Sequence, residues 1–225
     1  SSLAYYPLTF LSALALYHIY EQRGNYRTWM GAGVLLIGGI IAFLSWALPY
    51  AGQHPEIIMP LLEKDPFARE NMEAKVNWDH STYIPLVIIL ITLIAFFSTV
   101  SRQKFLGFSV LFFGMTLWVF SALIFFIGRV ERISQRAAVE FFQGQQGKEV
   151  YVTTFNYKSY VPWFYARVQP YENPRAAEQQ WLLNGETDRP VYISCKVTAR
   201  EKLEAQIQDA EFLYAKNGFL FYRRN

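Results

Sequence analysis

The chain has 225 residues, of which 52% are hydrophobic, 18% aromatic and 17% charged, with a net charge of +3 at pH 7. The charged fraction lies well below the roughly 25% usual for soluble domains, and so small and scattered a positive charge argues against a nucleic-acid-binding surface. Charge is unevenly divided: residues 1–127 carry seven Lys/Arg and seven Asp/Glu, whereas residues 128–225 carry fourteen and eleven.

Four apolar runs, 3–20, 30–49, 83–100 and 105–127, contain no Asp, Glu, Lys or Arg. At 1.5 Å per residue, runs of this length reach roughly 27 to 35 Å, close to the ~30 Å hydrocarbon core of a bilayer. A buried globular helix usually keeps one wet face, and these runs have none. They predict four transmembrane helices. Tyr17, Tyr20, Trp29, Trp46, Tyr50 and Tyr83 lie near the ends, where aromatic rings favour the headgroup zone. The glycines of GAGVLLIGG, residues 31–39, sit inside a charge-free span and follow no strand, so they read as helix-packing residues and not as a phosphate loop.

Short basic loops belong on the cytoplasmic side. Arg23 and Arg27 share one such loop and Arg102 and Lys104 another, while the long 51–82 connection carries six acids against Lys64, Arg69 and Lys75. This places the 51–82 loop and the region after 127 together on the outer face. Arg129, Arg132 and Arg136, directly after the fourth run, vote the other way. In WDHS, Trp78, Asp79 and His80 form either a carboxylate–histidine pair or an aromatic anchor and polar cap for the third span.

Residues 128–225 read as a small α/β domain. Val130, Ile133, Ala137 and Phe141 recur at helical spacing until Gly144 and Gly147. EVYVTTF predicts a strand, and YKSYVPWFYAR a short helix made irregular by Pro162. Asn173-Pro174 starts a helix running through Trp181 to Asn184-Gly185, and PVYISCKV alternates as a half-buried strand. Thr198 and Glu201 are spaced as a capping box for a helix bearing Leu203 and Ile207. Asn217-Gly218 between two apolar segments signals a hairpin with a type I′ turn. Cys195 is the sole cysteine, and His18 and His54 have no partners at metal-ligand spacing, so neither an intrachain disulfide nor a metal site is expected.

SSLAYYPLTFLSALAL resembles the late transmembrane segment of the family 39 glycosyltransferases, the polytopic group that contains protein O-mannosyltransferases and the bacterial aminoarabinose transferase acting on lipid A. Tyr6-Pro7 and SALAL match the Tyr-Pro and Leu/Ala-rich portion of that segment, while the family's Lys and His-Tyr lead would fall before Ser1. Four spans followed by an outer domain built around GKEVYVTTFNYKSYVPWFYARVQP also look like the end of bacterial members. The resemblance implies the C-terminal part of a GT-C enzyme of the bacterial cytoplasmic membrane, with the α/β domain periplasmic. Such an enzyme transfers a sugar from a polyprenyl-phosphate carrier to a lipid, glycan or protein acceptor. Its catalytic carboxylate lies in the N-terminal half, so no catalytic residue is assigned here, and no cofactor is implied.

Binding residues are expected instead. Tyr5 and Tyr6, at the outer boundary of the first run, either donate to a lipid phosphate or anchor the interface. Lys158, Tyr160 and Arg167 belong to the densest aromatic cluster, NYKSYVPWFYAR, where rings can stack a sugar and cations can hold a phosphate or an acidic acceptor. Aromatics at helical spacing also serve as core or membrane-facing surface. The rival to an enzyme fragment is a complete, non-enzymatic four-span protein displaying a periplasmic binding or scaffold domain.

Overall fold

The computed structural model describes residues 5–21, 26–168, 171–207 and 209–225. In chain order, helices α1 (Tyr5–Tyr20) and α2 (Thr28–Gln53) lead to two short helices, α3 (Pro55–Ile58) and α4 (Pro66–Asn71). Long helices α5 (Ile84–Val100) and α6 (Lys104–Ala122) follow, then α7 (Gly128–Ser134) and α8 (Arg136–Gln143). The remainder alternates: β1 (Tyr151–Phe155), α9 (Val161–Ala166), α10 (Gln179–Asn184), β2 (Val191–Lys196), α11 (Arg200–Glu204), β3 (Ala210–Lys216) and β4 (Phe219–Arg224). Two compact units result, one of Ser1–Gln53 and Trp78–Ile127, the other of His54–Asn77 and Gly128–Asn225.

In the first unit, three helices are long and apolar enough to cross a membrane: Thr28–Gln53, His80–Val100 and Lys104–Ser134. Four spans were expected. The first expected run begins at residues 3 and 4, outside the described residues, and the described helix α1 has 16 residues, about 24 Å of rise. Helix α5 starts cleanly because Asp79 accepts from Ser81 N at 3.0 Å, capping the turn His80–Tyr83, and Pro85 follows in the first turn, where its missing N–H costs nothing. This is the capping role expected of WDHS.

Side chains between α2, α5 and α6 form a core of Ala42, Ile89 and Leu93 with Met115 and Trp118 against it. Trp118 Nε1 donates to Ser45 Oγ at 3.0 Å, the only partner an indole could use at that depth being another polar side chain or carbonyl. Small residues set the approach of the helices. A Cβ on Gly38 would lie 2.5 Å from a Leu93 methyl, and one on Gly107 2.6 Å from the Val100 Cα. Of the GAGVLLIGG glycines, Gly31 and Gly38 face neighbours and Gly33 and Gly39 face open space, so only half of the motif packs. Outward residues such as Leu36, Ile37, Ile94 and Phe113 stay exposed, as lipid-facing residues do.

The second unit is built on a four-stranded mixed sheet of order β1-β2-β4-β3, with β1 and β2 parallel and the other pairs antiparallel. Alternation along β2 and β4 divides the interior in two. Val191, Ile193, Cys195, Leu220 and Tyr222 face a core with Leu182, Leu183 and Leu203 of α10 and α11. Phe219 and Phe221 face the other, with Phe141 and Phe142 of α8 and Ala166 of α9. Phe67 of α4 joins this second core, so the unit is larger than its expected 128–225 boundary.

Several helices are more broken than their sequence patterns. The run from Val130 to Phe141 divides into α7 and α8 at Gln135, whose φ of −136° leaves the helical region. Asn173 caps only a 3₁₀ turn, Pro174–Ala177, and an extended Glu178 separates it from α10. The expected capping box is absent: Thr198 lies within a 3₁₀ turn continuing from β2, and Ala199 occupies the cap position of α11 without a side-chain bond. Pro162, expected to make its helix irregular, instead sits in the first turn of α9, where proline is well placed.

The hairpin is as expected. Asn217 and Gly218 have φ of 48° and 75°, both in the left-handed region that a type I′ turn requires. A Cβ at Gly218 would also meet Phe67 at 2.9 Å. Gly218→Val in the full chain should therefore destabilise the second unit by about 2 kcal/mol or more, read as a lowered thermal midpoint in detergent. An unchanged midpoint would rule out both the turn geometry and the Phe67 contact.

Candidate functional site

Strand β1 is an edge strand, and unpaired backbone on an edge must find partners. It finds them in side chains of the segment after α9. Val152 N–H donates to the Tyr171 hydroxyl at 3.1 Å, and Gln179 Nε2 donates to the Thr154 carbonyl at 2.5 Å. These bonds tether the 171–182 segment to β1, and an open groove of about 1020 Å³ lies beside them.

One wall is the loop leaving the carboxyl end of β1. Asn156 turns the chain at a φ of 57°, a conformation Asn tolerates better than most residues. The turn is held by Thr154 Oγ1, which donates to the Tyr157 carbonyl at 2.8 Å, and by a hydrogen bond between the Tyr157 hydroxyl and Ser194 Oγ of β2. Burial pushes the Tyr157 phenol up to about 12, with the Ser194 bond opposing, so it is protonated at neutral pH and acts as a strut. Lys158, Tyr160 and Trp163 then project along the groove. The Tyr160 and Trp163 rings lie 6.5 Å apart, and Tyr160 is 87% exposed. The facing wall carries Tyr171, Asn173 and Gln179.

Among the described residues, neither the Lys158 ammonium nor the Tyr160 hydroxyl has a hydrogen-bonding partner, and no Asp or Glu lines the groove. The site thus offers aromatic faces and donors without a carboxylate to accept a proton. Such rings and donors can engage hydroxyl-rich or anionic ligands, whereas general-base chemistry needs a basic group within hydrogen-bond reach of the proton.

Of the expected binding residues, the groove gathers Lys158 and Tyr160. Arg167 is not in its lining. It ends α9 in the left-handed conformation, φ 50°, and its Nη1 and Nε donate at 3.2 and 3.1 Å to Gln146 when that amide's oxygen faces the guanidinium. Tyr5 and Tyr6 belong to the first unit, at the start of α1, and are 70% and 81% exposed. The 171–182 wall was missed by sequence reasoning, because Tyr171 and Gln179 act through long-range bonds that no local pattern encodes. Asn156 carried a weak signal, an Asn directly after a strand.

Other chemically capable groups are otherwise engaged. Cys195 is fully buried, and desolvation pushes its thiol up to about 12, far from a reactive thiolate. His54 Nδ1 lies 3.0 Å from Glu56 on an exposed surface. Among the described residues no cluster of three or more His, Cys, Asp or Glu is placed to hold a metal ion. No protein-family model, curated protein or solved structure matches this chain.

Tyr157→Phe tests the strut. Ser194, fully buried, would lose its partner, a loss of about 1 to 3 kcal/mol in stability at neutral pH. The raised phenol contributes stability that is complete below its ordinary value of 10 and is lost as pH rises towards 12. Thermal midpoints measured across this window should fall less steeply for Tyr157→Phe than for the parent chain.

Proposed function

We propose that this chain is the C-terminal portion of a GT-C glycosyltransferase that transfers a sugar from a polyprenyl-phosphate carrier to an acceptor at the outer face of a bacterial cytoplasmic membrane. The observation that carries this reading is the groove beside β1. Its aromatic faces and unpartnered Lys158 and Tyr160 donors suit a sugar or a phosphate, and its lack of a carboxylate suits a part that binds while another part supplies the base. Membrane-length helices in the same chain, and the likeness of Tyr6-Pro7 and SALAL to a late family 39 segment, support it further.

In this reading α1 is the end of a fourth span, and the second unit is periplasmic. Support comes from Arg102, in the three-residue link between α5 and α6, which is short and basic as cytoplasmic loops are. Chemistry consists of attack by the acceptor at the anomeric carbon, with the lipid phosphate leaving. The proton is taken by a carboxylate of the preceding half, and this portion holds substrate in place.

Orientation can be checked by single cysteines placed in a Cys195→Ser background and labelled from the outer face. Label should reach positions Gln53 and Gly185 and fail to reach Asn25 and Gln103. The opposite pattern would overturn the periplasmic placement.

Binding and inactivity form the second test. Purified chain titrated with a polyprenyl-phosphate-linked sugar should show a change in tryptophan fluorescence from Trp163, and Lys158→Ala should weaken that binding by roughly five- to 150-fold. Given acceptor as well, the chain should show no turnover. Robust transfer by these 225 residues alone, or no binding of the lipid-linked sugar, would defeat the proposed division of labour.

A further inference from the structure

A second polar cleft, of about 480 Å³, lies within the same unit, lined by Lys75, by Arg132 of α7, by Arg136 and Glu140 of α8, and by Lys216 at the end of β3. We propose that it holds the phosphate group of a membrane lipid. The assignment stands on the cleft alone and does not require the glycosyl-transfer reading.

Glu140 organises the cations. Its two carboxylate oxygens separately accept from Arg136 Nε at 2.9 Å and Lys216 Nζ at 2.7 Å. Lys216 first, and Arg136 second, hold its carboxyl below the usual carboxylate range, so it stays ionised and keeps both cations in place. Each bond uses one donor, leaving four N–H groups on the Arg136 guanidinium and two on the Lys216 ammonium for a ligand. Among the described residues, Lys75 and Arg132 form no ion pair. With Glu73 also in the lining, four cations face two carboxylates there, and Glu131 acts on Arg136 from outside the lining. Arginine's planar fork and lysine's compact charge together match phosphate oxygens.

Chain connectivity limits how far two of these cations can lie from the apolar helices. Arg132 follows Gly128 by four residues of α7, about 6 Å of rise, and Gly128 directly follows the charge-free run 105–127 within the membrane-length helix Lys104–Ser134. Lys75 precedes His80, where the neighbouring membrane-length helix begins, by five residues, at most about 18 Å of chain. Residues His80–Tyr83 and Leu123–Ile127 touch, so both tethers leave from the same end of the α5–α6 pair. Two short tethers from one end keep Arg132 and Lys75 within a short length of chain from the ends of two membrane-length helices, and in a bilayer lipid phosphates lie near such ends. Exposed cations there attract anionic headgroups in any protein. The built feature here is the carboxylate that arranges two of them around a concave site.

Native mass spectrometry of the full chain in detergent measures the affinity for phosphatidic acid, with phosphatidylcholine as the lipid comparison and inorganic phosphate as a separate arm. Each cation near the surface contributes about five-fold, so Lys75→Gln/Arg132→Gln should weaken phosphatidic acid binding by about 25-fold. Lys202→Gln, on the exposed side of α11, should leave it unchanged. Thermal midpoints of all variants establish that they are folded. If only inorganic phosphate binding follows the substitutions, the lipid source is wrong. If neither ligand responds, the cleft is not a phosphate site.

Discussion

The second unit depends on one ring. Phe67, carried on the short helix α4, packs edge-on against Phe219 of β4 with centroids 5.1 Å apart, and its face receives the Lys196 ammonium at 4.3 Å. Aromatic and cation–π contacts of this kind are each worth about 1 kcal/mol beyond the area they bury. Gly218 leaves the space that Phe67 occupies. Because of this contact the 54–77 segment belongs to the sheet unit, although membrane-length helices flank it in sequence. The chain therefore passes between the two units three times. Arg129 Nε, donating to the Asn77 carbonyl at 2.9 Å, joins two of those passages inside the second unit, and so brings the stretch holding Lys75 beside the helix holding Arg132.

The two polar sites on this unit have opposite electrostatic designs. The groove beside β1 has a single cation, Lys158, set among rings and neutral amides, whereas the cleft by α8 concentrates four cations around Glu140. Exposed single charges interact weakly through water, on the order of 1 kcal/mol at contact distance, and salt screens them further. A phosphate thus gains far more in the cleft than in the groove. The groove offers ring faces and hydrogen-bonding groups more than charge, which suits the hydroxyl-bearing ligand proposed for it.

Much of this architecture was legible in the sequence, for definable reasons. Charge-free runs mark membrane-length helices because hydrocarbon tolerates no exposed charge, and Asn217-Gly218 marks the hairpin because few other pairs accept positive φ twice. Aromatic density drew attention to Lys158 and Tyr160, and both line the groove beside β1. What escaped was non-local. Phe67 is one apolar residue in an acidic loop, and nothing near it announces a partner some 150 residues away. Thr198 and Glu201 have the spacing of a capping box, but β2 runs directly into a 3₁₀ turn there, and tertiary placement of the strand overrides the local signal. The helix patterns were continuous through Gln135 and Glu178 because periodicity reports which face is buried and is blind to a single extended residue.

Edge protection and the proposed ligand binding share the same groove. Tyr171 and Gln179 must reach across to β1, since without them Val152 N–H and the Thr154 carbonyl would lack partners at an edge strand. The same two bonds fix the far wall, and the Tyr157–Ser194 bond fixes the near one. Ordering on binding is then confined to Lys158, Tyr160 and Trp163, at about 0.5 to 1.5 kcal/mol for each immobilised side chain. Stacking and two or three hydrogen bonds are enough to offset that cost. A groove made rigid for the sake of its strand is in this way also prepared for a ligand.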